Sequence, residues 1–286
     1  MNAFRLTEKV RQLIVEAEQI SERKNQSSLQ SVDFFLGAAN VKEGTLLEMF
    51  NLMDGRIEEF VNLERTEEVV YGDAIWPFRL PLSVQSFEIW QEAIAIMKRY
   101  NQTYLNEGHI LKAFFQFAEK DAVLSSRLYT LPYEQLYKTV TSARDLSVYL
   151  MDHDWDVDDL PSVVTRQADM DDREMVVTFV IDKFGDEWGR TIGNGFHPVH
   201  EGVPIFIAEQ DDQLVGFAAF DVYRQKKAIY GPMGVIPGVR ETGIGKNLLF
   251  SALNEMKKRG YMYVILKEAG PIEFYEKACS AKLIPL

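Results

Sequence analysis

The sequence is poor in cysteine, in positive charge and in long apolar runs. Cys279 is the only cysteine, so the chain cannot form an internal disulfide, as is common for proteins of reducing compartments. No apolar run approaches the roughly 20 residues that a membrane-spanning helix needs. Residues 1–9 turn charged at once and lack the apolar segment of a signal peptide. These absences predict a cytoplasmic protein that does not enter the membrane.

The charge balance and two missing motifs narrow the function further. Lys and Arg number 31 against 43 Asp and Glu, and the net charge of −12 disfavours nucleic acid as a partner, because phosphate contacts need clustered positive charge. The phosphate-binding loop of ATPases, Gly-x-x-x-x-Gly-Lys-Ser/Thr, does not occur. The acidic stretch 152–159 begins like a calcium loop, but Val157 and Val163 stand where that loop needs Gly and Glu. We therefore expect no bound metal.

The hydrophobic pattern differs between the two halves of the chain. At 286 residues the chain is long enough for about two domains. Between residues 10 and 20, apolar positions recur at helical spacing, which predicts an amphipathic helix. In the second half, short apolar runs at 204–208 and 214–220 flank the turn-forming residues 210–213, which predicts a hairpin. The fold class expected is mixed α/β (α+β), with an all-α domain followed by a β-sheet flanked by helices.

An internal repeat subdivides the first half. Asn25-Gln26-Ser27-Ser28-Leu29 is echoed downstream by Asn101-Gln102-Thr103-Tyr104-Leu105, and the apolar face before it recurs in the same register. Chance similarity between two amphipathic helices is the alternative. The repeat predicts two copies of a small helical unit, about 1–75 and 76–150. An acidic linker would follow at 151–160, and a second domain at 161–286.

Short segments of the first half carry a family resemblance. Phe4-Arg5-Leu6-Thr7-Glu8-Lys9 and residues 25–36 are similar to the N-terminal double-repeat domain of Clp-type unfoldase ATPases. That domain docks adaptors and substrate proteins, so the resemblance implies a module that binds a protein or peptide partner. A helical domain that serves only assembly is the alternative. Val32 and Gly108 replace the acid of the family's Gly-Thr-Glu-His motif, which speaks against a peptide or modified-arginine pocket built on that acid.

The most informative segment joins a strand to a helix through a glycine-rich turn. An apolar run is followed by Arg240-Glu241-Thr242-Gly243-Ile244-Gly245-Lys246 and then by an amphipathic helix. Backbone N–H groups at a helix N-terminus lack intrahelical partners, and the helix dipole adds positive charge, so this geometry binds phosphate. Gly243 and Gly245 let the backbone approach the oxygens. Arg240 and Lys246 supply positive charge that the acidic chain otherwise lacks.

The pattern Arg-x-x-Gly-x-Gly of this turn resembles the coenzyme A motif of the GNAT acetyltransferases. A second feature of that family, Phe274-Tyr275-Glu276-Lys277, follows downstream. A first strand at 163–166, a first helix within 169–184 and two strands within 203–221 complete the family order. The alternative, a dinucleotide site, needs Gly-x-Gly-x-x-Gly, and position 248 is Leu. The resemblance implies a GNAT fold with a mixed, splayed β-sheet flanked by helices.

The resemblance also implies a set of site residues. The pyrophosphate of acetyl-CoA would rest on the turn, and the pantetheine arm would pair with Met233-Gly234-Val235 like an added strand. A backbone N–H near Val235 would stabilise the oxyanion. Tyr275 would be the general acid that protonates the departing thiolate, with a packed helix aromatic as the alternative. The implied cofactor-binding residues are Met233, Gly234, Val235, Arg240, Glu241, Thr242, Gly243, Ile244, Gly245 and Lys246.

The resemblance implies direct transfer of the acetyl group to a primary amine, on a small molecule or a peptide. An alkylammonium titrates near ~10.4, so a base is expected, and Glu209, Asp221 and Glu268 are the candidates. Gly231-Pro232 together with Gly270-Pro271 is similar to a subset of the family associated with amino-sugar acetylation. An amino sugar is therefore one expected acceptor.

The alternative from a different class is a CoA-binding protein without catalysis, whose helical domain binds a protein or peptide partner. The absence of a carboxylate between 229 and 236, where many relatives place one, favours it, whereas the turn and Tyr275 oppose it. His197 and His200 lie in a loop that could border the acceptor, although exposed loop histidines are the simpler interpretation. The last strand, near Lys282-Leu283, would be short, so a partner subunit of a homodimer could complete that edge.

Overall fold

The chain folds into two compact units. The computed structural model describes residues 4–63, 73–100, 102–197, 202–240 and 242–286. One unit comprises Met1–Ala143 with Pro285–Leu286, and the other comprises Arg144–Ile284. Within these described ranges, no helix is both long and apolar enough to cross a lipid bilayer.

The N-terminal unit consists of helices in two similar halves. The first half contains β1 (Arg5–Leu6), α1 (Glu8–Arg23), α2 (Ser31–Val41), α3 (Gly44–Leu52) and α4 (Glu58–Val61). The second contains α5 (Val84–Arg99), β2 (Tyr104–Leu105), α6 (Glu107–Ala118), α7 (Ala122–Leu128) and α8 (Tyr133–Thr141). The shift in numbering that carries Asn25 onto Asn101 also carries α1 onto α5 and the first residue of α2 onto that of α6.

The strand pairing relates the two halves reciprocally. Leu6, before α1, pairs with Leu105, before α6. Leu29, before α2, pairs with Leu82, before α5. In the repeat, Leu6 corresponds to Leu82 and Leu29 corresponds to Leu105. The two pairings are therefore equivalent contacts with the roles of the two halves exchanged. This reciprocity supports a repeat over chance similarity between helices.

Corresponding helices of the two repeats also begin with the same kind of cap. At α2 the Gln30 N–H donates to Asp33 Oδ2 at 2.8 Å, and at α6 the Asn106 N–H donates to His109 Nδ1 at 3.1 Å. Such caps satisfy N–H groups that a helix start leaves unpaired. The pKa of His109 is lowered to about 4, first by burial and then by the charge of Lys112. The ring is therefore neutral near pH 7 and can accept.

Packing explains why neither repeat carries an acid at the position that the Clp resemblance emphasises. Val32 is 1% exposed and belongs to the core of the helical unit. At Gly108 an added Cβ would lie 2.8 Å from the carbonyl oxygen of Val140, closer than real Cβ contacts allow. Neither position could present a carboxylate to a ligand without rearrangement of the core.

The C-terminal unit combines a mixed sheet with helices. Its elements are β3 (Arg144–Tyr149), β4 (Val163–Gln167), α9 (Arg173–Phe184), α10 (Asp186–Gly193), β5 (Ile205–Gln210), β6 (Gln213–Phe220), β7 (Ile229–Val235), α11 (Ile244–Lys258), β8 (Tyr263–Ala269), α12 (Ile272–Cys279) and β9 (Lys282–Leu283). The described strands form one sheet in the order β4-β5-β6-β7-β8-β3-β9. Neighbours are antiparallel except β7 and β8, which are parallel and pair at Ile229 and Tyr230.

Two apolar cores fix the helices on this sheet. Leu248, Leu249 and Leu253 of α11 are fully buried in one core. Val176 and Val180 of α9 are fully buried in the other, together with apolar side chains of β5 and β6. The spacing of the α11 residues is the helical periodicity that the sequence predicts.

The boundary between the units lies earlier than the predicted position 150. Residues 144–149 form β3, which pairs with β8 and β9 inside the C-terminal sheet. The helical unit therefore ends at Ala143. Leu146, Val148 and Leu150 are buried at every second position, a strand pattern that the sequence contained.

Candidate active site

One edge of β7 is open where the sequence places the pantetheine arm. On one side, Met233, Gly234 and Val235 pair with β6. On the other side, β7 pairs with β8 only as far as Tyr230 in the part of the chain that the structure describes. The two parallel strands thus separate after Tyr230, which is the expected splay. An open strand edge presents backbone groups to which an extended, amide-bearing chain can bond.

The turn after β7 leads into α11 with a glycine as the N-cap. Gly243 has φ +95°, a left-handed conformation that glycine adopts at little cost. Among the described residues, no side chain caps the start of α11. The first-turn N–H groups are therefore disposed to meet an external acceptor such as phosphate. Ile244, also predicted for this site, is 1% exposed, so it contributes backbone only. Glu241, another predicted site residue, lies outside the described residues.

Side chains of the turn hold it to the end of β7 and to an acidic segment. Arg240 Nε donates to the Val235 carbonyl at 2.9 Å, and burial lowers the pKa of its guanidinium. The hydroxyl of Thr242 donates within the turn, to the Val239 carbonyl at 2.7 Å. The ammonium of Lys246 lies 3.0 Å from a carboxylate oxygen of Asp158. The Arg240 guanidinium and the Lys246 ammonium are thus each held by a named partner, the Val235 carbonyl and the Asp158 carboxylate.

The turn, the open edge and α12 converge on Gly245. A Cβ built on Gly245 would lie 3.8 Å from Val235 Cγ2, 3.9 Å from Met233 Cε and 4.0 Å from Phe274 Cζ. Gly245 therefore lies where the start of α11 comes close to β7 and α12, and it adds no side chain there. A helix start next to an open strand edge suits a ligand with phosphate at one end and an extended amide-bearing arm at the other.

Tyr275 lies beside the point where β7 and β8 separate. Its ring meets that of Tyr230 edge-on, with centroids 6.4 Å apart, and Tyr230 is the last β7 residue paired with β8. The Tyr230 hydroxyl in turn donates to Met233 Sδ at 2.8 Å. Burial, and to a lesser extent Cys279, raises the pKa of Tyr275 above that of an ordinary phenol. The phenol is therefore protonated at neutral pH, the form in which it can donate.

The thiol of Cys279 is unsuited to nucleophilic attack. Burial raises its pKa to about 12, and the group donates to the Tyr275 carbonyl at 3.2 Å. The reactive thiolate is accordingly scarce at neutral pH.

Glu209, one candidate base, belongs to a structural ion-pair network. Arg166 Nε and Nη2 donate to its two oxygens, each at 3.1 Å. The same guanidinium makes two bonds to Asp172, at 2.6 and 2.9 Å, and lowers the pKa of that carboxyl. The network joins β4, β5 and the start of α9. Glu209 is thus engaged in holding the sheet edge.

The other two candidate bases also have partners. Asp221 is 1% exposed and accepts from the Tyr261 hydroxyl at 2.6 Å and the Ala228 N–H at 2.8 Å. Glu268 is exposed and lies 3.6 Å from the ammonium of Lys267. Asp221 is thus buried within its own hydrogen bonds, and Glu268 lies at the surface beside Lys267.

His197 is exposed at the end of a short helical turn, and His200 lies outside the described residues.

Sequence reasoning missed two groups of residues around this site. The first is an aromatic cluster on the sheet face opposite α11, where Phe184 stacks on Trp188 with centroids 5.7 Å apart. A Cβ on Gly234 would lie 2.5 Å from the Phe184 ring, so this ring packs against the face of β7 at Gly234. In the sequence, the only signal for this cluster is that Phe184 and Trp188 are four residues apart.

The second missed group is the segment 152–160, called the strap below. The sequence predicts an acidic linker at 151–160, but Trp155 is 8% exposed and packs against Phe250 of α11, with ring centroids 6.2 Å apart. Asn254 and Asn247 on α11 donate to the strap carbonyls of Trp155 and Asp158, each at 2.7 Å. These asparagines lie seven residues apart on one helix face, beside the apolar stripe, and that spacing was the available signal.

Comparison with known families concerns the C-terminal unit. Residues 170–280 match the family model described as Acetyltransferase (GNAT) family. No curated protein matches the chain by sequence.

Similarity to solved structures extends over both units at low identity. One is a fungal protein described as a GCN5-related glucosamine N-acetyltransferase region in a multi-domain β-N-acetylglucosaminidase, with 16% identity, a TM-score of 0.42, and coverage of 50% of this chain and 20% of that one. A GCN5-related N-acetyltransferase from Sphaerobacter thermophilus has 15% identity, a TM-score of 0.41, and coverage of 62% and 64%. The N-terminal domain of the chaperone ClpD from Arabidopsis thaliana has 13% identity, a TM-score of 0.38, and coverage of 49% and 94%.

Proposed function

We propose that this chain, whose residues 170–280 are a domain of the acetyltransferase (GNAT) family, transfers an acetyl group from acetyl-CoA to a primary amine. The observation that carries the proposal is the meeting of two features at Gly245. These are the open edge of β7 and the glycine-capped start of α11. Each suits a different part of the same donor molecule.

The donor would lie along the turn and the open strand edge. Backbone N–H groups from Thr242 through Lys246 would hold the pyrophosphate, supported by the charges of Arg240 and Lys246. The pantetheine arm would pair with residues 233–235 in the manner of an added strand. The fit rests on the left-handed Gly243 and on the absence of a side chain at Gly245.

The donor supplies an activated thioester, and the chain's own residues would complete the transfer. The amine nitrogen forms a bond to the carbonyl carbon, and the carbon–sulfur bond breaks. A backbone N–H near Val235 would stabilise the negative charge on the carbonyl oxygen. Tyr275, protonated in its buried position, would give its proton to the leaving sulfur. Because the candidate carboxylates have partners, we infer that the proton of the amine leaves through water.

An amino sugar is the acceptor class that we propose. The proposal rests on Gly231-Pro232 at the point where β7 leaves β8 and on Gly270-Pro271 immediately before α12, the pair that resembles the amino-sugar subset of the family. Both segments flank the region in which Tyr275 lies.

An acceptor screen with the full chain tests this function. Release of the CoA thiol from acetyl-CoA would be followed across amino sugars, polyamines, aminoglycosides and peptide N-termini. Amine-dependent release, highest with an amino sugar, is the expected result. Release that is highest with another amine would reject the acceptor class and keep the reaction.

The second candidate is a CoA-binding protein without catalysis, whose helical unit binds a protein or peptide. One observation favours it: Glu209 and Asp221 are held by other residues, and a direct base is not apparent among them. The same screen separates the two candidates. Tight binding of CoA without thiol release over the whole panel would support the second and exclude the first.

A further inference from the structure

The strap follows α11 from its C-terminal end to its N-terminal end. Lys257 of α11 donates to Asp154 Oδ1 of the strap at 2.6 Å. Farther toward the start of the helix, Asn247 binds the backbone of Asp158. The strap therefore runs antiparallel to the helix and ends at the turn that would hold phosphate.

The backbone of the strap is anchored where it approaches this turn. Asn247 is 2% exposed, and its side-chain amide uses both of its functions on one residue. Its Nδ2 donates to the Asp158 carbonyl at 2.7 Å, and its Oδ1 accepts from the Asp158 N–H at 2.9 Å. Loss of these partners would leave a buried amide without hydrogen bonds, which is unfavourable. The position of Asp158 is thus set by the helix.

This anchoring delivers a carboxylate to the phosphate turn. Asp158 Oδ2 lies 3.0 Å from Lys246 Nζ, and the two side chains are 48% and 43% exposed. Two residues farther along, a side-chain carbon of Leu160 lies 3.2 Å from the position of a Cβ built on Gly243. The strap thus lies beside Gly243 and Lys246, two of the residues assigned to donor binding. At Lys246 it places the negative charge of Asp158 where the phosphate of the donor would bind.

We propose that Asp158 is a positioning residue of the donor site, which holds the Lys246 ammonium at the turn and yields it to the phosphate of acetyl-CoA. The strap thereby sets the affinity for the donor. This inference rests on the proposed function of the turn. Asn247 fixes the backbone of Asp158, so the carboxylate is held within reach of the Lys246 ammonium.

The size of the effect follows from the exposure of the pair. An exposed ion pair contributes up to about 1 kcal/mol, which corresponds to roughly a fivefold change in affinity. After release, the Asp158 carboxylate remains close to the bound phosphate and repels it. Removal of this charge should therefore tighten acetyl-CoA binding by roughly three- to tenfold at low ionic strength.

The experiment compares two substitutions in the strap of the full chain. Asp158→Asn removes the charge, while the backbone groups that bind Asn247 remain. Asp154→Asn is the matched control, because it makes the same change in net charge and breaks a similar pair, with Lys257. That pair lies near the other end of α11, about 20 Å from the turn at 1.5 Å per residue. The affinity for acetyl-CoA, its KM and kcat would be measured for each variant.

The expected result is tighter binding and a lower KM for acetyl-CoA in Asp158→Asn, with wild-type values in Asp154→Asn. High salt should reduce the difference. In a Lys246→Ala background the difference should become smaller, because only the repulsion between the Asp158 carboxylate and the phosphate remains. Unchanged or weaker binding in Asp158→Asn, or an equal effect of the control, would overturn the role of Asp158 while the donor site stands. Wild-type protein that does not bind acetyl-CoA would overturn both this role and the proposed function.

Discussion

At the scale of single residues, the proposed donor site would depend as much on side chains that are missing as on those that are present. Gly243 adopts φ +95°, and Gly245 adds no side chain where α11 comes close to Met233 and Phe274. The charges come from Arg240, which is tied to the Val235 carbonyl, and from Lys246. In the proposed site, backbone groups would therefore contact the phosphate, and the charges of Arg240 and Lys246 would adjust the affinity for acetyl-CoA.

Substitution of Gly243 by Asp should abolish donor binding. The carboxylate would repel phosphate, and the new Cβ would press on Leu160 at 3.2 Å. We expect the affinity for acetyl-CoA to fall by at least ~100-fold, equivalent to two lost charge-assisted contacts of roughly 1.4 kcal/mol each. Titration calorimetry of the full chain measures this loss.

The matched control for this substitution is Gly260→Asp. Gly260 has φ +88° and nothing within 4 Å of its Cβ position, so backbone strain and charge change are similar, but it follows the far end of α11. Wild-type affinity is expected there. Equal losses in the two variants would mean that strain or net charge, and not the turn, controls binding.

Replacement of Tyr275 by Phe should slow acetyl transfer and spare donor binding. Loss of a general acid commonly lowers kcat by about 10²- to 10⁴-fold. Because the pKa of Tyr275 is raised by burial, the phenol is protonated at neutral pH, and the wild-type rate should not fall through its ionisation below about pH 10. Steady-state kinetics would be compared with Tyr263→Phe, a change at a side chain that is 59% exposed. A wild-type kcat in Tyr275→Phe would leave the ring with a packing role only.

The residues of the turn could be predicted from the sequence, whereas their partners could not. The Gly-x-Gly spacing between a strand-like run and a helical run is a local signal. It predicted a turn into a helix, and α11 begins at Ile244 with Gly243 as its N-cap. The partner of Lys246 is Asp158, 88 residues away in the chain. Such a contact depends on the path of the strap, which no local pattern encodes.

At the scale of secondary structure elements, local periodicity predicted α11 and the β5–β6 hairpin, and the family resemblance predicted β4, with bounds close to those observed. It did not place β3, although Leu146 and Val148 alternate as strand residues do. The partners of β3 are β8 and β9, which lie far along the chain, so its membership in the sheet is a tertiary property. The strap was interpreted as a linker because its composition is acidic. Its contacts with α11 join residues far apart in the sequence and could not be predicted from that composition.

The cap of α6 makes the helical unit sensitive to acid. The pKa of His109 is about 4 in the folded chain, below the roughly 6.5 of an unfolded histidine. The unfolded chain takes up the proton first, so stability is complete above about pH 6.5 and is lost as the pH falls toward 4. The loss should reach about 3 kcal/mol at most.

Urea unfolding over this pH window tests the role of His109. Gln at this third helical position keeps the capping box and does not titrate, so His109→Gln should remove most of the pH dependence. His153→Gln, a change on the strap, should keep the wild-type slope. A slope in His109→Gln equal to that of the wild type would place the acid sensitivity elsewhere.

At the scale of the whole molecule, the excess of acidic residues means that only local positive charge could attract the phosphate of the proposed donor. A chain with net charge −12 offers little general attraction to a phosphate-bearing ligand. In our proposal the N-terminus of α11 would provide a local attraction, and Asp158 of the strap, which pairs with Lys246, would oppose it. The helical unit repeats one set of elements at a constant offset, and this long-range order was visible in the sequence as two similar segments.

The most direct test of the donor site is hydrogen–deuterium exchange of the intact chain with and without acetyl-CoA. First-turn amides of a helix exchange readily unless an acceptor binds them. We predict slower exchange at residues 233–236 and 242–247 on addition of acetyl-CoA, absent from the Gly243→Asp variant, with α1 and α5 unchanged. Unchanged exchange at both of these segments under saturating acetyl-CoA would contradict the assignment of the site.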